Sequence, residues 1–485
     1  MSKKQIKSKK RVRDFGEVYT QDREVKAMLD LVKDLSYDIN AKFLEPACGD
    51  GNFLIEILKR KMQSLDKENG AQYEKDLLIT VSTIYAVDIL QDNINESISR
   101  LYNHIEKDYI DTFKDDIDDD ILLSVKEILN NNIICGDTLT MLKSNGEPIV
   151  FDMKFDVIIG NPPYQMNTGG GQAQAVPLYH KFIETAKDLE PQYISMIIPS
   201  RWMVGGMGLN NFRRDMLNDR RIIELHDYTN AKECFPNVDI KGGVCYFLWK
   251  ENANQKCNVY THENNNITYS KRYLIEDGDD IFIRNNILLD IKNKAQSKNE
   301  EPFEDLVSSL GPYGLNTDFF KKPEKYNMEP ASDEPIEDGY SILGLIEGNH
   351  RTWKYIDKDY ALPKTDGIDK YKIFISEAYG CGAIGETIPT PVLATPGQLC
   401  TQTFLQIGVF NTQEEAENCL SYIKTKFFRI LIGARKTTQH ATKKVYRFVP
   451  MQDFSKPWTD EELYEKYGLT DEEINYIEEM IKPMK

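Results

Sequence analysis

Hydrophobic positions along this chain gather into short apolar runs separated by stretches of helical spacing. The start of Phe43-Leu44-Glu45-Pro46-Ala47-Cys48, then Ile84-Tyr85-Ala86-Val87-Asp88-Ile89, Asn132-Ile133-Ile134-Cys135-Gly136-Asp137 and Phe155-Asp156-Val157-Ile158-Ile159-Gly160 are such runs, bounded by polar or glycine-containing text. They predict buried strands. Between and around them Val25, Met28, Leu29 and Val32, then Phe53, Leu54, Ile57 and Leu58, then Leu178, Phe182, Ile183 and Ala186 recur on one helix face. Further strand-like runs cover 193–198, 222–225 and 244–249. Strands alternating with helices predict an α/β domain built on a mostly parallel, twisted sheet with helices on both faces.

Near residue 257 this rhythm weakens and turn-rich text begins, as in Asn264-Asn265-Asn266 and Glu276-Asp277-Gly278-Asp279-Asp280. The expected organisation is therefore a basic tail over 1–13, the α/β domain over 14–256 and a second, α+β domain over 257–485. A chain of 485 residues suits two or three domains. Close to its C-terminus Thr459 precedes Glu462 and Thr470 precedes Glu473 by three positions, which predicts two helix starts with capping boxes.

Composition alters this picture in two places. The absence of any apolar run long enough to span a bilayer, and of an apolar segment after Met1, points to a cytoplasmic protein without a membrane partner. The eight cysteines include no C-x-x-C pair, so neither a metal site nor a disulfide framework is expected. A net charge of −17 argues against a polyanionic partner unless charge is segregated. It is segregated. Asp115-Asp116-Ile117-Asp118-Asp119-Asp120 concentrates acid, whereas 1–13 carries Lys3, Lys4, Lys7, Lys9, Lys10, Arg11 and Arg13 with no acid before Asp14. That segment reads as a solvating tail or a phosphate-binding arm. The stretch 424–447 is also free of acid, and its Arg435, Lys436, Lys443, Lys444 and Arg447 flank Thr437, Thr438, Gln439 and His440. Small donors among cations suit phosphate contact, so these five cations are the expected phosphate-binding residues.

The chemistry sits at strand ends. Glu45-Pro46-Ala47-Cys48-Gly49-Asp50-Gly51 joins the first strand to a helix through a glycine loop, where backbone N–H groups allow a ligand close approach. No Lys-Ser/Thr follows, so the loop is not one that cradles a nucleoside triphosphate. Asp88 and Asp137 each end a strand, the position from which an acid accepts hydrogen bonds from a nucleoside. Asn161-Pro162-Pro163-Tyr164 follows the fourth run. Alone it is a tight turn. Its two prolines stiffen the backbone and leave carbonyls unpaired, so an amide and an aromatic ring flank a rigid polar clamp suited to a planar molecule with an amino group. Gly169-Gly170-Gly171 beyond it suggests a mobile loop.

Taken in order, Glu45-Pro46-Ala47-Cys48-Gly49-x-Gly51, Asp88, Asp137 and Gly160-Asn161-Pro162-Pro163-Tyr164 resemble the γ-class, TaqI-like adenine-specific DNA methyltransferases of restriction-modification systems, over roughly 14–250. The resemblance implies a Rossmann-like class I methyltransferase fold followed by a target recognition domain. It implies S-adenosyl-L-methionine as methyl donor, with Thr20 and the loop Glu45, Pro46, Ala47, Cys48, Gly49 and Gly51 around its methionine part. Asp88 and Ile89 would lie at its ribose and Asp137 at its adenine, although Thr138 stands where members of the class often carry an aromatic. Asn161, which would also border the cofactor, and Pro162 would grip the amino group of an adenine flipped out of duplex DNA. Tyr164 would stack on that base opposite an aromatic of 244–249, with Phe247 preferred over Tyr246 and Trp249. A cognate restriction endonuclease is the implied partner, with the chain as monomer or dimer. RNA adenine methylation, protein-glutamine methylation and a non-catalytic DNA-binding module are the rival readings.

Overall fold

A computed structural model describes residues 7–484 apart from 115–116, 167–175, 205–207, 239, 264–265, 277–278, 280, 347–349, 381–383, 386 and 437. Lys3, Lys4, Asp115, Asp116, the glycine run at 169–171, Asn264, Asn265, Asp277, Gly278, Asp280 and Thr437 thus lie outside the described residues. The chain divides into two compact units, Met1–Phe282 and Ile283–Lys485.

The first unit contains β1 (Phe43–Glu45), β2 (Ile84–Asp88), β3 (Ile133–Asp137), β4 (Leu142–Lys143), β5 (Val157–Gly160), β6 (Gln165–Met166), β7 (Val176–Pro177), β8 (Tyr193–Pro199), β9 (Ile222–Tyr228), β10 (Val244–Lys250), β11 (Cys257–Glu263) and β12 (Asn266–Arg272). Among the described residues ten of these form one sheet in the order β12-β11-β9-β10-β8-β5-β1-β2-β3-β4, and β6 pairs with β7 separately. β3, β2, β1, β5 and β8 run parallel. β10 lies antiparallel between β8 and β9. The expected α/β architecture is therefore present.

Alternation along the strands sends side chains to two separate cores. Phe43, Ala86, Val157, Ile159 and Ile197 enter one, while Leu44, Val87, Ile158, Met196 and Ile198 enter the other. Burial on both faces is why these strands read as continuous apolar runs rather than alternating ones. The chain steps from β1 through β2 to β3, then returns to place β5 on the other side of β1. Ligands bind at the strand carboxyl ends where a sheet reverses its winding in this way.

Two expectations need correction. The boundary drawn at 256/257 falls instead at 282/283, because β11 pairs with β9 from Asn258↔Glu224 to His262↔Tyr228 and β12 pairs back on β11. An edge hairpin faces water and carries little apolar signal, so its text resembles a linker. The described part of the basic N-terminal segment, from Lys7 onward, is helical and paired rather than a solvating tail. Ser8 caps a helix over Lys9–Phe15 that ends at Gly16 with φ 65. Arg11 donates to Asp92 at 2.6 and 2.9 Å and reaches Glu17 at 2.9 Å, and Lys7 donates to Asn93 at 2.9 Å. These two cations are partnered internally rather than offered as a phosphate arm.

The second unit holds β13 (Tyr340–Ile346), β14 (His350–Ile356), β15 (Tyr371–Ser376), β16 (Val392–Ala394), β17 (Gln398–Cys400) and β18 (Phe404–Phe410). They make two small sheets, β14-β13-β17 and β16-β15-β18. Helices over Gln413–Lys424, Lys426–Arg435, Asp460–Tyr467 and Asp471–Met480 accompany them, which is the α+β character expected. Both predicted capping boxes form, at Thr459/Glu462 and Thr470/Glu473.

Candidate active site

The glycine loop after β1 is held by side chains from three directions. Gly49 and Gly51 adopt left-handed backbone at φ 52 and 79, a conformation that costs other residues free energy. Neither has room for a side chain: a Cβ on Gly49 would stand 2.9 Å from the Tyr19 ring, and one on Gly51 2.8 Å from Ser97 Oγ. Asp88 Oδ2 accepts from the Gly49 N–H at 2.9 Å, while its Oδ1 accepts from Leu90 N at 2.9 Å and Asn93 Nδ2 at 3.1 Å. The Thr138 hydroxyl donates to the Pro46 carbonyl at 2.6 Å, which gives that residue a bracing contact where a ring was expected. Arg100 donates to the Asp50 carbonyl and to Asn52 Oδ1.

Over these strand ends lies a cavity of ≈ 640 Å³, within the usual range for small-molecule sites. Thr20, Glu45, Pro46, Ala47, Cys48, Gly49, Asp88, Ile89, Asp137 and Asn161 all line it. Every residue expected to hold the cofactor is thus brought together except Gly51, which shapes the loop from behind. Tyr19, Asn93 and Phe182 also line the cavity. Phe182 was legible only as part of an apolar helix face, since spacing does not separate a core position from one facing a hollow. Ile89 is 56% exposed despite its position at the end of β2.

Polar atoms in this cavity lack partners of their own. Thr20 Oγ1, Glu45 Oε2 and Asn161 Oδ1 are buried without a hydrogen bond among the described residues. Burial, followed by the charges of Asp50 and Asp88, holds the Glu45 carboxyl well above the usual carboxylate range. Three carboxyl groups converging with Arg100 as the nearby cation suit a ligand that brings positive charge and hydrogen-bond donors. Burial also pushes the Cys48 thiol well up, so it is not a nucleophile in waiting.

The clamp is oriented by the chain that precedes it. Asn161 Nδ2 donates to the Val18 carbonyl at 2.9 Å, so the amide can only turn its oxygen the other way. A Cβ on Gly16 would meet the Gln165 carbonyl at 3.0 Å and Pro163 at 3.2 Å, which shows how closely the N-terminal strap lies on the clamp. Pro162 is buried, and Tyr164 is half-buried with its hydroxyl unpartnered.

Among the described residues, the ring packed against Tyr164 is the fully buried Phe235, edge-on at 6.3 Å between centroids and 87° between planes. Phe247 does not do this. It is buried in the core on the opposite side of the sheet, because β10 sends Val244, Tyr246 and Leu248 to one face and Cys245, Phe247 and Trp249 to the other. Tyr246 shares the face of Tyr164 but stacks on His226 at 4.5 Å, and Trp249 donates to Asp219 at 3.0 Å. Phe235 comes from the loop between β9 and β10, where a Phe-Pro pair after a short turn was the only sequence signal.

The expected DNA-binding cations separate into two groups. Arg435 is buried with its guanidinium over the Phe448 ring, and Lys436 is buried with its ammonium on the Tyr379 carbonyl at 2.6 Å. Neither is available to a phosphate. Lys444 and Arg447 are exposed and Lys443 partly so.

Residues 62–235 match the family model described as Eco57I restriction-modification methylase. An uncharacterized adenine-specific methylase of Mycoplasma pneumoniae is 38% identical over 157 residues, covering 30% of this chain and 37% of that protein. The chain therefore spans little more than a third of the curated relative it matches. Solved structures with similarity include the type IIG restriction endonuclease BpuSI, at 12% identity and TM-score 0.45 over 93% of this chain and 61% of that one. The type IIL restriction-modification enzyme MmeI in complex with DNA gives 13% identity and TM-score 0.43 over 91% and 68%.

Proposed function

We propose that this chain transfers a methyl group from S-adenosyl-L-methionine to the exocyclic amino nitrogen of an adenine turned out of duplex DNA, as the modifying activity of a restriction-modification system. The observation that carries the reading is Asn161 Oδ1, a buried acceptor left unpaired because the amide nitrogen is tied to Val18. The methylase family match over 62–235, which includes Asp88, Asp137 and the clamp, supports it.

The residues around the cavity fit the methyl donor. Thr20 Oγ1 and Glu45 Oε2 are free acceptors for its ammonium and nearby donors. Asp88 retains acceptor capacity for ribose hydroxyls beyond its contacts to Gly49 and Leu90. Ile89 and Phe182 offer apolar surface to a purine, and Asp137 an acceptor to its amino group. When bound, the sulfonium supplies an electrophilic methyl group.

The chain itself orients the acceptor nitrogen. An adenine amino group is a weak nucleophile because its lone pair is delocalised into the ring. Asn161 Oδ1 and the Pro162 carbonyl each accept one of its N–H bonds, which favours a pyramidal nitrogen with its lone pair directed outward. Positioning and fixed dipoles of this kind lower a barrier without a covalent enzyme intermediate. Tyr164, edge-on to Phe235, provides the ring against which a flipped base rests, recovering part of its unstacking cost.

Asn161→Ala is expected to bind S-adenosyl-L-methionine as the parent does and to transfer less than about a hundredth as much tritiated methyl to duplex DNA. Full transfer by this variant would refute the reading. A preference for RNA over duplex DNA in competition would favour the RNA alternative.

A further inference from the structure

In the second unit, an exposed loop is held by buried Lys436 and half-buried Glu377. Residues 377–379, just past β15, run beside 439–441 as a short antiparallel ribbon. Tyr379 N donates to the Gln439 carbonyl at 2.8 Å, Ala441 N donates to the Glu377 carbonyl at 2.8 Å, and Ala378 bridges His440. Lys436, 2% exposed, anchors it through the Tyr379 carbonyl. The Glu377 carboxylate holds His440 Nδ1 at 2.9 and 3.0 Å. The side chains so positioned, Tyr379, Gln439 and His440, are exposed. A rigid support under a polar tip is how a recognition surface is made specific.

The hydrogen bonds determine what this tip presents. In its neutral form, with Nδ1 donating to Glu377, His440 offers Nε2 as an acceptor. Gln439 Nε2 lies 3.3 Å from that nitrogen, so the amide turns one N–H toward it. The second side-chain N–H and the side-chain oxygen of Gln439 have no partner among the described residues. A donor and an acceptor side by side on one carboxamide match the N7 acceptor and N6 donor of adenine in the major groove. Exposed Lys444 and Arg447 follow in the same segment and suit backbone phosphates.

We infer that this ribbon reads duplex DNA, with Gln439 contacting an adenine other than the one methylated. The inference rests on the proposed DNA substrate. It favours B-form DNA over RNA, whose major groove is too narrow to admit such a contact.

The test is selection of bound duplexes from a randomised pool by the full chain, followed by sequencing. The parent is expected to select a motif, and Gln439→Ala to lose its preference for adenine at one position by roughly 5- to 150-fold. The isosteric Gln439→Glu, which keeps the acceptor but loses the donor, should shift that position away from adenine toward cytosine. Lys444→Ala should weaken binding and leave the motif intact. An unchanged motif in both Gln439 variants, or no motif in the parent, would overturn the inference. Tritiated-methyl transfer measured on the same preparations reports the methylation reading separately: its absence beside an altered motif would refute methylation and leave the ribbon's role standing.

Discussion

At the scale of single residues, the candidate site presents polar atoms denied a partner, and away from it one lysine is denied water. Asn161 shows the first case, since one hydrogen bond to Val18 decides which amide atom is free. Lys61 shows the second. It is fully buried beside Phe43, donating to the Ala41 carbonyl and, at 2.7 Å, to Thr83 Oγ1. Burial pushes its ammonium down to about 7, against about 10.4 in an unfolded chain. Between these values the unfolded chain holds a proton that the folded one does not. Stability therefore rises with pH from about 7 to about 10, by up to about 1.4 kcal/mol per unit, and this contribution is flat below 7. Denaturant titrations from pH 7 to 10 should show that slope reduced in Lys61→Met relative to the parent. An equal slope in both proteins would show that Lys61 is not the group responsible.

At the scale of elements, strand alternation and loop placement decide which aromatic faces the clamp. β10 carries three rings in four positions, yet only Tyr246 lies on the clamp's side and it is engaged by His226. The loop before β10 delivers Phe235 instead. Phe235 is itself buried and supports the Tyr164 ring edge-on, so Phe235→Leu should displace that ring and lower kcat/KM for duplex DNA. Phe247→Leu should leave kcat/KM near that of the parent and lower the melting temperature, as expected of a core repacking. The reverse pattern would restore the strand aromatic to the site. Identifying these partners from the sequence failed for a definite reason. Periodicity tells that a strand is buried on both faces but not which face looks toward a given loop.

At the scale of the whole molecule, a net charge of −17 is compatible with the proposed polyanionic substrate if the contacting cations are local. The acid-free run at 424–447 divides by burial rather than by sequence. Lys444→Ala and Arg447→Ala should each reduce the salt dependence of DNA binding by about one unit of slope. Arg435→Ala should instead lower the melting temperature and leave the slope alone, because its guanidinium packs on Phe448 inside the second unit. Fluorescence titrations at several salt concentrations, paired with thermal melts, separate these outcomes.

The sequence alone determined the strand–loop–helix order, the glycine loop, the two strand-end acids and the clamp, because each is written in contiguous residues with a local physical signature. Apolar runs bounded by Gly49, Asp88 or Asn161 need no distant partner to be legible. Only the tertiary structure decided that β11 and β12 complete the first sheet, that Arg11 is paired with Asp92, that Phe235 rather than Phe247 packs against Tyr164 and that Arg435 and Lys436 are buried. Each of these depends on which side of a sheet, or which neighbour tens of residues away, a side chain meets. Burial and pairing are properties of three-dimensional neighbours, and a charge or a ring in a one-dimensional string carries no mark of them.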